Sequence, residues 1–418
     1  MVVNIWIVSN GEPLPIDEGA PRLRRMGMLA KLLQSRGHEV HWFCSTFHHY
    51  KRIQRREADA DVLVAPGYTI HLLHTPGYGP GVSMARMRHQ VHLADAFNKK
   101  AATMEKPDLI LTTLAPLPLS KAAVDLAVTL GVTSVVDIRD LWPEIYRDVV
   151  PGFMKPFIGM YITRVRMELA VTLKKATGLM GVTPYFLQYG LSLAERHIGP
   201  TDGVFHTSYP AIDIPAARAR FPADWHGKGL QDDDFLVVFL GTFSRQFAIT
   251  PLIQAAESLQ DDPRIRFVLC GSGVQLDELK ADAAHLDNVL FPGWIDEAAI
   301  HSLLAYASVG VAPYVPSVNF VYNTPNKFGE YLSASLPVLV SIPGSMAGLL
   351  EEYQCGRMYH DGKELADQIK ILAADPEKLA AKRTGARRLF QDRFDAGIVM
   401  GRMATYLEKV ATAATGSR

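Results

Sequence analysis

Short apolar runs alternate with longer amphipathic segments along almost the whole chain. The run VVNIWIVSN near the start predicts a strand, and in the segment after it Leu23, Met26, Ala30 and Leu33 recur at the spacing of one helical face. HEVHWFC predicts the next strand, and the alternation continues through PDLILTTL, PLSKAAVDLAVTLG and TSVVDIRD. Strands and helices in this order predict a parallel sheet with helices on both faces, which is a Rossmann-like domain.

The alternation is interrupted at residues 210–233, which show no strand period and contain several helix breakers. We predict a linker there, between an N-terminal domain (1–209) and a C-terminal domain (234–395). The second domain restarts the pattern with DFLVVFLG, IRFVLCGSG, NVLFPGW, VGVAPYV and LPVLVS, and the tail from about 396 to 418 predicts an amphipathic helix that completes the first domain. The predicted fold class is α/β, with two Rossmann-like parallel-sheet domains that face each other across a ligand-binding cleft.

Composition narrows the classes of function. A chain of 418 residues suits two domains, and 43 basic against 43 acidic residues give no net charge to attract nucleic acid. The three cysteines are scattered, and their spacing suits neither a metal site nor a disulfide scaffold. The first apolar run is short and has no basic leader, and no apolar run reaches the roughly 18 residues of a membrane span, so we expect a cytoplasmic protein.

The segment NTPNKFGEY places a cation and a carboxylate one turn apart at a predicted helix start. A helix N-terminus favours anions, so Lys327 in the first turn opposes the macrodipole unless an anionic ligand binds there. Glu330 is suited to accept hydrogen bonds from a ribose diol. An ordinary solvated Lys–Glu pair at this spacing explains the same residues.

Two other strand ends in the second half carry turn-forming residues. Gly241 and Thr242 follow one strand, and Arg245 projects from the same turn, which predicts a phosphate-binding corner or, alternatively, a surface arginine. Arg245 and Lys327 together can clamp a diphosphate. Gly271 begins a G-x-G that lacks the third glycine of a dinucleotide fingerprint, so it predicts either a turn facing a nucleobase or a purely structural turn.

These elements, in this order, resemble the donor domain of retaining GT-B glycosyltransferases of family 4. The family has two glutamates separated by seven residues. Glu330 matches the second glutamate, which implies that it binds the ribose of the donor. Tyr322 occupies the position of the first glutamate, which contacts the donor sugar in the family. Arg245 matches the arginine that stabilises the leaving diphosphate, and Lys327 is our candidate for the missing partner lysine. The remaining residues that we expect in the donor site are Gly241, Thr242, Gly271, Asn323, Thr324, Pro325 and Asn326.

The first half also resembles this family. The segment DEGAPRLRRMG is similar to the glycine-bearing loop and first helix, which implies that Gly19 lets the backbone approach the donor. RDLWPE is similar to an element of the branch that builds bacterial O-antigen and capsule. Its Arg139 and Asp140 are expected to touch sugar or acceptor hydroxyls, Asp140 as a catalytic residue, although a helix cap is the alternative for Asp140. We expect the acceptor side to include Arg22, Arg139, Arg86 and Arg88.

The resemblance implies transfer of a hexosyl or N-acetylhexosaminyl group from a nucleotide-diphosphate sugar, with UDP as the expected nucleotide. The implied acceptor is a glycan or a polyprenyl-diphosphate-linked glycan in bacterial surface polysaccharide synthesis, and no metal cofactor is expected. Basic, aromatic-bearing segments of the first half fit either docking to an anionic membrane, on the inner face of the plasma membrane, or ordinary surface helices. A non-hydrolysing nucleotide-sugar epimerase and a non-catalytic nucleotide-sugar-binding subunit remain alternatives.

Overall fold

The computed structural model describes residues 2–19, 21–79, 81, 83–150 and 155–415. Its internal contacts divide the chain into two compact units, Met1–His206 with Val399–Arg418, and Thr207–Ile398. Each unit contains a mainly parallel sheet flanked by helices. The predicted α/β class with two Rossmann-like sheets is therefore confirmed.

The first unit is built on an eight-stranded sheet. The strands of this unit, in chain order, are β1 (Asn4–Val8), β2 (Glu39–Ser45), β3 (Phe47–His48), β4 (Ile53–Gln54), β5 (Ala60–Ala65), β6 (Tyr68–Leu73), β7 (Leu109–Thr113), β8 (Thr133–Ile138), β9 (Gly178–Gly181) and β10 (Gly203–Val204). The order across the sheet is β10-β9-β8-β7-β1-β2-β6-β5, and β3 and β4 form a separate ribbon. The edge strand β5 runs antiparallel to β6, because the two residues Pro66 and Gly67 join them and so short a connection excludes a parallel crossover.

Helices cover both faces of this sheet, and a C-terminal helix completes its core. They are α1 (Arg25–Ser35), α2 (Met84–Ala101), α3 (Leu117–Leu130), α4 (Tyr146–Val149), α5 (Lys155–Lys175) and α6 (Pro184–Leu193). Residues from Val399 to Ala411, near the end of the chain, pack in the same core as Met26 and Leu33 of α1. Glu408 binds Arg36 at 2.9 Å and His38 at 3.0 Å, so the end of the chain is fixed by both apolar and ionic contacts.

The second unit has a six-stranded parallel sheet in the order β13-β12-β11-β14-β15-β16. Its strands are β11 (Phe235–Leu240), β12 (Ile265–Cys270), β13 (Val289–Gly293), β14 (Val309–Ala312), β15 (Val338–Val340) and β16 (Gly356–Met358). Its helices are α7 (Ile214–Trp225), α8 (Thr250–Ser258), α9 (Leu276–Asp282), α10 (Glu297–Tyr306), α11 (Val318–Val321), α12 (Asn326–Ser333), α13 (Ser345–Glu352), α14 (Gly362–Ala374) and α15 (Pro376–Leu389). The C-terminal helix, α16 (Ala396–Thr415), belongs to the first unit from Val399 onwards. Within the described ranges, no helix is both long and apolar enough to cross a membrane.

Half of the predicted linker over residues 210–233 is the packed helix α7, so this part is not the irregular connection that we expected. Phe221 and Trp225 of α7 are fully buried in the core of the second unit, and the Trp225 indole donates to Ser302 Oγ at 2.9 Å. Pro215 does not break α7 because it lies in the first turn, where its missing N–H has no helical partner to lose. Asp213 caps the helix by accepting from the Ala216 N–H.

A buried ion pair ties three segments of the first unit together. The Arg25 guanidinium, at the start of α1, binds both carboxylate oxygens of Asp137 in β8 at 2.8 and 3.0 Å. It also donates to the carbonyls of Phe205 and His206, where the chain leaves the first unit. Arg25 is 4% exposed and Asp137 is fully buried, so neither charge has water to replace its partner.

Replacing Arg25 by methionine should lower the free energy of unfolding by about 3–5 kcal/mol, because the Asp137 carboxylate is left buried and unpaired. Urea denaturation followed by circular dichroism measures this change. The matched control is Arg36→Met, which removes the more exposed pair with Glu408 and should cost less than about 1 kcal/mol. Equal losses in the two variants would contradict a structural role for the buried pair.

Candidate functional site

The carboxyl edge of the second sheet is lined by glycines on three neighbouring strands. Gly241 follows β11, Gly271 and Gly273 follow β12, and Gly293 ends β13. The Gly271 N–H donates to the Gly293 carbonyl at 2.8 Å, and a Cβ on Gly271 would lie 1.7 Å from the Gly241 carbonyl oxygen. Gly271 has a φ of +141°, which also disfavours a side chain. At this edge, which we call the glycine floor, backbone therefore packs directly against backbone, and a side chain at Gly271 is excluded.

The side chain of Lys327 reaches the glycine floor. Its helix α12 begins at Asn326, after Pro325 as the N-cap residue, as the sequence predicted. The Lys327 ammonium nitrogen lies 2.6 Å from the point that a Cβ on Gly241 would occupy. The predicted lysine and the predicted phosphate-binding turn are therefore neighbours in the structure.

Three aromatic rings surround the Lys327 ammonium. Its Nζ lies 3.7 Å from the ring centroid of Phe247, 5.2 Å from that of Phe239 and 5.3 Å from that of Tyr314. Among the described residues, no carboxylate forms a salt bridge with it. Burial lowers the pKa of Lys327 to about 7, although the Glu330 carboxylate one turn away acts to raise it. The aromatic rings replace only part of the hydration that the ammonium loses on burial. A buried ammonium of this kind is suited to bind an anionic ligand.

Arg245 lies in the loop that carries one wall of this aromatic cage. The loop runs from β11 to α8, and Arg245 and Thr242 are exposed in it, whereas Phe247 is buried against Lys327. Two backbone hydrogen bonds fix the loop to the segment after β14, from the Ala248 N–H to the Pro313 carbonyl and from the Val315 N–H to the Gln246 carbonyl. These bonds hold the backbone of the loop in place next to Arg245, two residues before Phe247, whose ring contacts Lys327.

The polar loop before α12 supplies hydrogen-bonding groups beside Lys327. Asn323 Oδ1 accepts from the Thr324 N–H at 2.8 Å, which shapes the turn into Pro325. Thr324 is 1% exposed, and its Oγ1 has no partner among the described residues. A buried hydroxyl without a partner is a group that a bound ligand can satisfy. Asn326 is exposed, and Glu330 is half-buried on the same helix.

Several residues of this edge were missed by the sequence prediction. Phe239, Phe247 and Tyr314 come from three separate segments, and no local pattern predicts that they meet around one lysine. Trp294 is 76% exposed directly after Gly293, and Val274 is 89% exposed after β12. Large exposed apolar side chains next to a glycine-lined edge are typical of a ligand site, and the strand-end Gly-Trp in NVLFPGW was the signal available in the sequence.

The first unit contains a cavity of about 500 Å³ at the carboxyl edge of its own sheet. We call it the first-unit cavity; it is lined by residues that follow β1, β7 and β8 and by parts of α2, α3 and α5. Arg86 and Arg139, which we expected on the acceptor side, line it, and so does Asp140, which we expected to be catalytic. The alternative role of Asp140 as a helix cap is wrong, because α4 begins only at Tyr146 and Ile145 is its N-cap residue.

Three predicted residues of the first unit do not line this cavity. Arg88 is exposed on α2, and Arg22 is half-buried before α1. Gly19 is exposed, has a φ of +88° and has no heavy atom within 4 Å of the place that a Cβ would take. Within the described residues, no three His, Cys, Asp or Glu side chains are arranged to hold a metal ion.

Residues 234–375 match the family model of glycosyl transferases group 1. The match contains the glycine floor, Arg245, Lys327 and Glu330. A comparison with curated proteins gave no match.

Solved structures similar to the chain cover nearly its whole length. Sucrose-phosphate synthase from Thermosynechococcus elongatus is 16% identical, with 98% of this chain and 100% of that chain covered and a TM-score of 0.71. HepE from Anabaena, solved in complex with UDP, is 14% identical, with coverage of 97% and 100% and a TM-score of 0.65. WaaG, a glycosyltransferase involved in lipopolysaccharide biosynthesis, is 15% identical, with coverage of 99% and 100% and a TM-score of 0.62. These similarities show that the fold is the GT-B architecture.

Substituting Gly271 by alanine should destabilise the glycine floor, because the added Cβ meets the Gly241 carbonyl oxygen. We expect a loss of about 1–3 kcal/mol in the free energy of unfolding, measured by urea denaturation. The control is Gly348→Ala in α13, where no heavy atom lies within 4 Å of a Cβ and alanine favours the helix. A Gly271→Ala variant as stable as the control would show that the floor tolerates side chains.

Proposed function

We propose that the protein is a retaining glycosyltransferase of family 4 that transfers a sugar from a UDP-sugar. Its acceptor is a glycan or a polyprenyl-diphosphate-linked glycan in bacterial surface polysaccharide synthesis. The observation that carries this proposal is the buried Lys327 ammonium, which lies against the glycine floor without a salt-bridge partner among the described residues. The match of residues 234–375 to group 1 glycosyl transferases and the UDP complex of the similar HepE structure support it.

In this proposal the diphosphate of the donor lies on the glycine floor. Lys327 and Arg245 bind its oxygens, and the buried Thr324 hydroxyl gains the hydrogen-bond partner that it lacks in the described structure. Glu330 accepts hydrogen bonds from the ribose hydroxyls. The exposed indole of Trp294 stacks on the nucleobase, since indole and base both offer flat apolar faces.

The transfer breaks the bond between the anomeric carbon of the donor sugar and the diphosphate oxygen. The acceptor oxygen bonds to that carbon on the same face, and the acceptor proton passes to the leaving diphosphate. Negative charge develops on the diphosphate as the bond breaks, so Arg245 and Lys327 act where the transition state needs cations. We propose that these two side chains serve this role without a metal ion, and that the transferred group is a hexosyl or N-acetylhexosaminyl unit.

The acceptor side of the proposed reaction belongs to the first-unit cavity. Arg139 and Asp140 offer a cation and a carboxylate at its wall for hydrogen bonds to acceptor hydroxyls. We further propose a cytoplasmic protein that binds the inner face of the plasma membrane, which agrees with the exposed Met84 of α2 and Met160 of α5.

The first experiment incubates the protein in EDTA with a short-chain polyprenyl-diphosphate-linked sugar as acceptor and with UDP-glucose or another UDP- or GDP-sugar as donor, and it measures the nucleoside diphosphate released. We expect release from a UDP-sugar, and Arg245→Ala should lower kcat by about 10²-fold or more because the leaving group loses a cation. The control is Arg264→Ala, an exposed arginine that pairs only locally with Asp262.

Three results would contradict the proposal in different ways. An unchanged rate in Arg245→Ala removes the role of that residue, and loss of activity in EDTA removes metal independence. A new nucleotide sugar formed without release of UDP indicates an epimerase instead.

The affinity for UDP-glucose should fall as pH rises from about 6 to 8.5, because the pKa of the unliganded Lys327 is about 7 and the diphosphate favours the ammonium form. Above that pKa, binding must take up a proton, so the affinity falls by up to about tenfold for each pH unit. Neighbouring Tyr314 stays neutral, since burial raises its pKa. Calorimetry in two buffers of different ionisation enthalpy measures the proton taken up.

The matched variant is Lys327→Met, which keeps a long side chain in the aromatic cage but removes the charge. It should bind UDP-glucose more weakly at low pH and show no proton uptake. Uptake that persists in this variant would assign the titration to another group.

A further inference from the structure

One end of the first-unit cavity combines a guanidinium, an imidazole and a phenol. The Tyr78 hydroxyl lies 2.7 Å from His49 Nδ1, and the Arg86 guanidinium lies 5.7 Å from the centroid of the Tyr78 ring. Arg52 lies 5.2 Å from the same centroid. Ser83 fixes the start of α2 by accepting from the Arg86 N–H, so Arg86 projects from the first turn of a capped helix.

Arg86 differs from the other cations at the cavity because its charge is not neutralised. Arg139 forms an ion pair with Glu12, and Lys121 forms one with Asp125. Among the described carboxylates, none forms a salt bridge with Arg86.

His49 adds no charge at neutral pH, because burial and the nearby Arg86 and Arg52 lower its pKa to about 4. The Arg86 guanidinium donates to the Gly81 carbonyl at 3.4 Å and forms no salt bridge with a described carboxylate. Such a cation beside two neutral hydrogen-bonding rings is suited to bind an oxyanion.

The wall of the same cavity near Asp140 is aromatic. The rings of Trp142 and Tyr146 lie 4.9 Å apart, and those of Tyr146 and Tyr161 lie 5.4 Å apart. The Tyr189 hydroxyl donates to the Trp142 carbonyl at 3.0 Å and holds this segment in place. Such a cluster presents flat apolar faces against which the C–H groups of a sugar ring can pack.

Long apolar side chains are exposed on the two helices that flank the cavity. On α2, Met84 is 66% exposed, and on α5 Met160 is 84% and Met167 61% exposed. Both helices also line the cavity, through Arg86 on α2 and Tyr161 on α5. The elements that form this cavity therefore carry a cation without a described carboxylate partner, an aromatic wall and exposed apolar groups.

We propose that the first-unit cavity binds the phosphate of a phosphorylated acceptor sugar, with Arg86 as its cation and Tyr78 and His49 as hydrogen-bonding partners. The sugar packs on Trp142, Tyr146 and Tyr161. The proposal rests on the proposed function for the transfer step, and it adds that the acceptor carries a phosphate and which side chains bind that phosphate. A lipid-linked sugar diphosphate and a free sugar phosphate share this chemistry, and the exposed methionines favour the lipid-linked form.

Calorimetric titration without a donor tests the proposal with three probes: N-acetylglucosamine 1-phosphate, geranyl diphosphate and N-acetylglucosamine. We expect the two phosphorylated probes to bind at least about tenfold more tightly than the uncharged sugar, because charge-assisted hydrogen bonds are lost with the phosphate. Arg86→Gln should remove most of that difference. The matched control is Lys99→Gln, which removes one positive charge from the exposed last turn of the same helix and should leave all three affinities unchanged.

A second variant, Tyr78→Phe, removes one hydroxyl and leaves the ring, so it keeps the test valid if Arg86→Gln does not fold. It should weaken both phosphorylated probes and not the uncharged sugar. Tighter binding of geranyl diphosphate assigns the lipid-linked source, and tighter binding of N-acetylglucosamine 1-phosphate assigns the free sugar phosphate. Equal binding of charged and uncharged probes, or no effect of either variant in folded protein, overturns the proposal.

The UDP affinity of the same variants separates the two proposals. It should be unchanged in Arg86→Gln, because Arg86 belongs to the cavity of the first unit and the donor residues belong to the second. Failure of the wild-type protein to bind UDP counts against the proposed donor site alone, whereas the phosphate titrations need no donor.

Discussion

The chemistry of the second unit depends on one unfavourable placement, the burial of the Lys327 ammonium. Taking a charge out of water costs several kcal/mol unless partners replace the water, and the aromatic faces of Phe239, Phe247 and Tyr314 replace only part of it. The backbone beside it cannot carry side chains, because Gly241 and Gly271 approach each other too closely. The molecule therefore holds a partly compensated cation next to an edge made of backbone alone, and an anionic ligand would supply the missing counter-charge.

The two units share a plan in which the carboxyl edge of a parallel sheet collects the polar chemistry. In the second unit, successive strand ends contribute Gly241, Gly271 and Trp294. In the first unit, the cavity is bounded by the ends of β1, β7 and β8, and Arg139 is held there by Glu12. The two sites differ in their walls, since one is a glycine floor and the other an aromatic and basic cavity. This difference suits a diphosphate on one unit and a larger, partly apolar ligand on the other.

The regular part of the fold could be predicted from periodicity alone, because strands buried on both faces and amphipathic helices leave clear patterns. The start of α12 and the position of Lys327 in its first turn were likewise readable from local sequence. Contacts between distant segments could not be predicted from local sequence. Arg25 and Asp137 are 112 residues apart, and nothing in the local sequence of either residue indicates its partner. The helix α7 was missed because its prolines suggest a break, whereas Pro215 occupies a position where a helix accepts it.

The burial of α7 also determines at which residue a fragment that contains only the second unit can begin. Trp225 and Phe221 fill space in the second core next to α10, and Phe221 stacks on Tyr306 at 4.1 Å. A fragment that begins at residue 234, where the family match starts, leaves that apolar surface of α10 open to water and prone to aggregation. Expression of the second unit alone must therefore begin before Asp213, so that the capped helix is included.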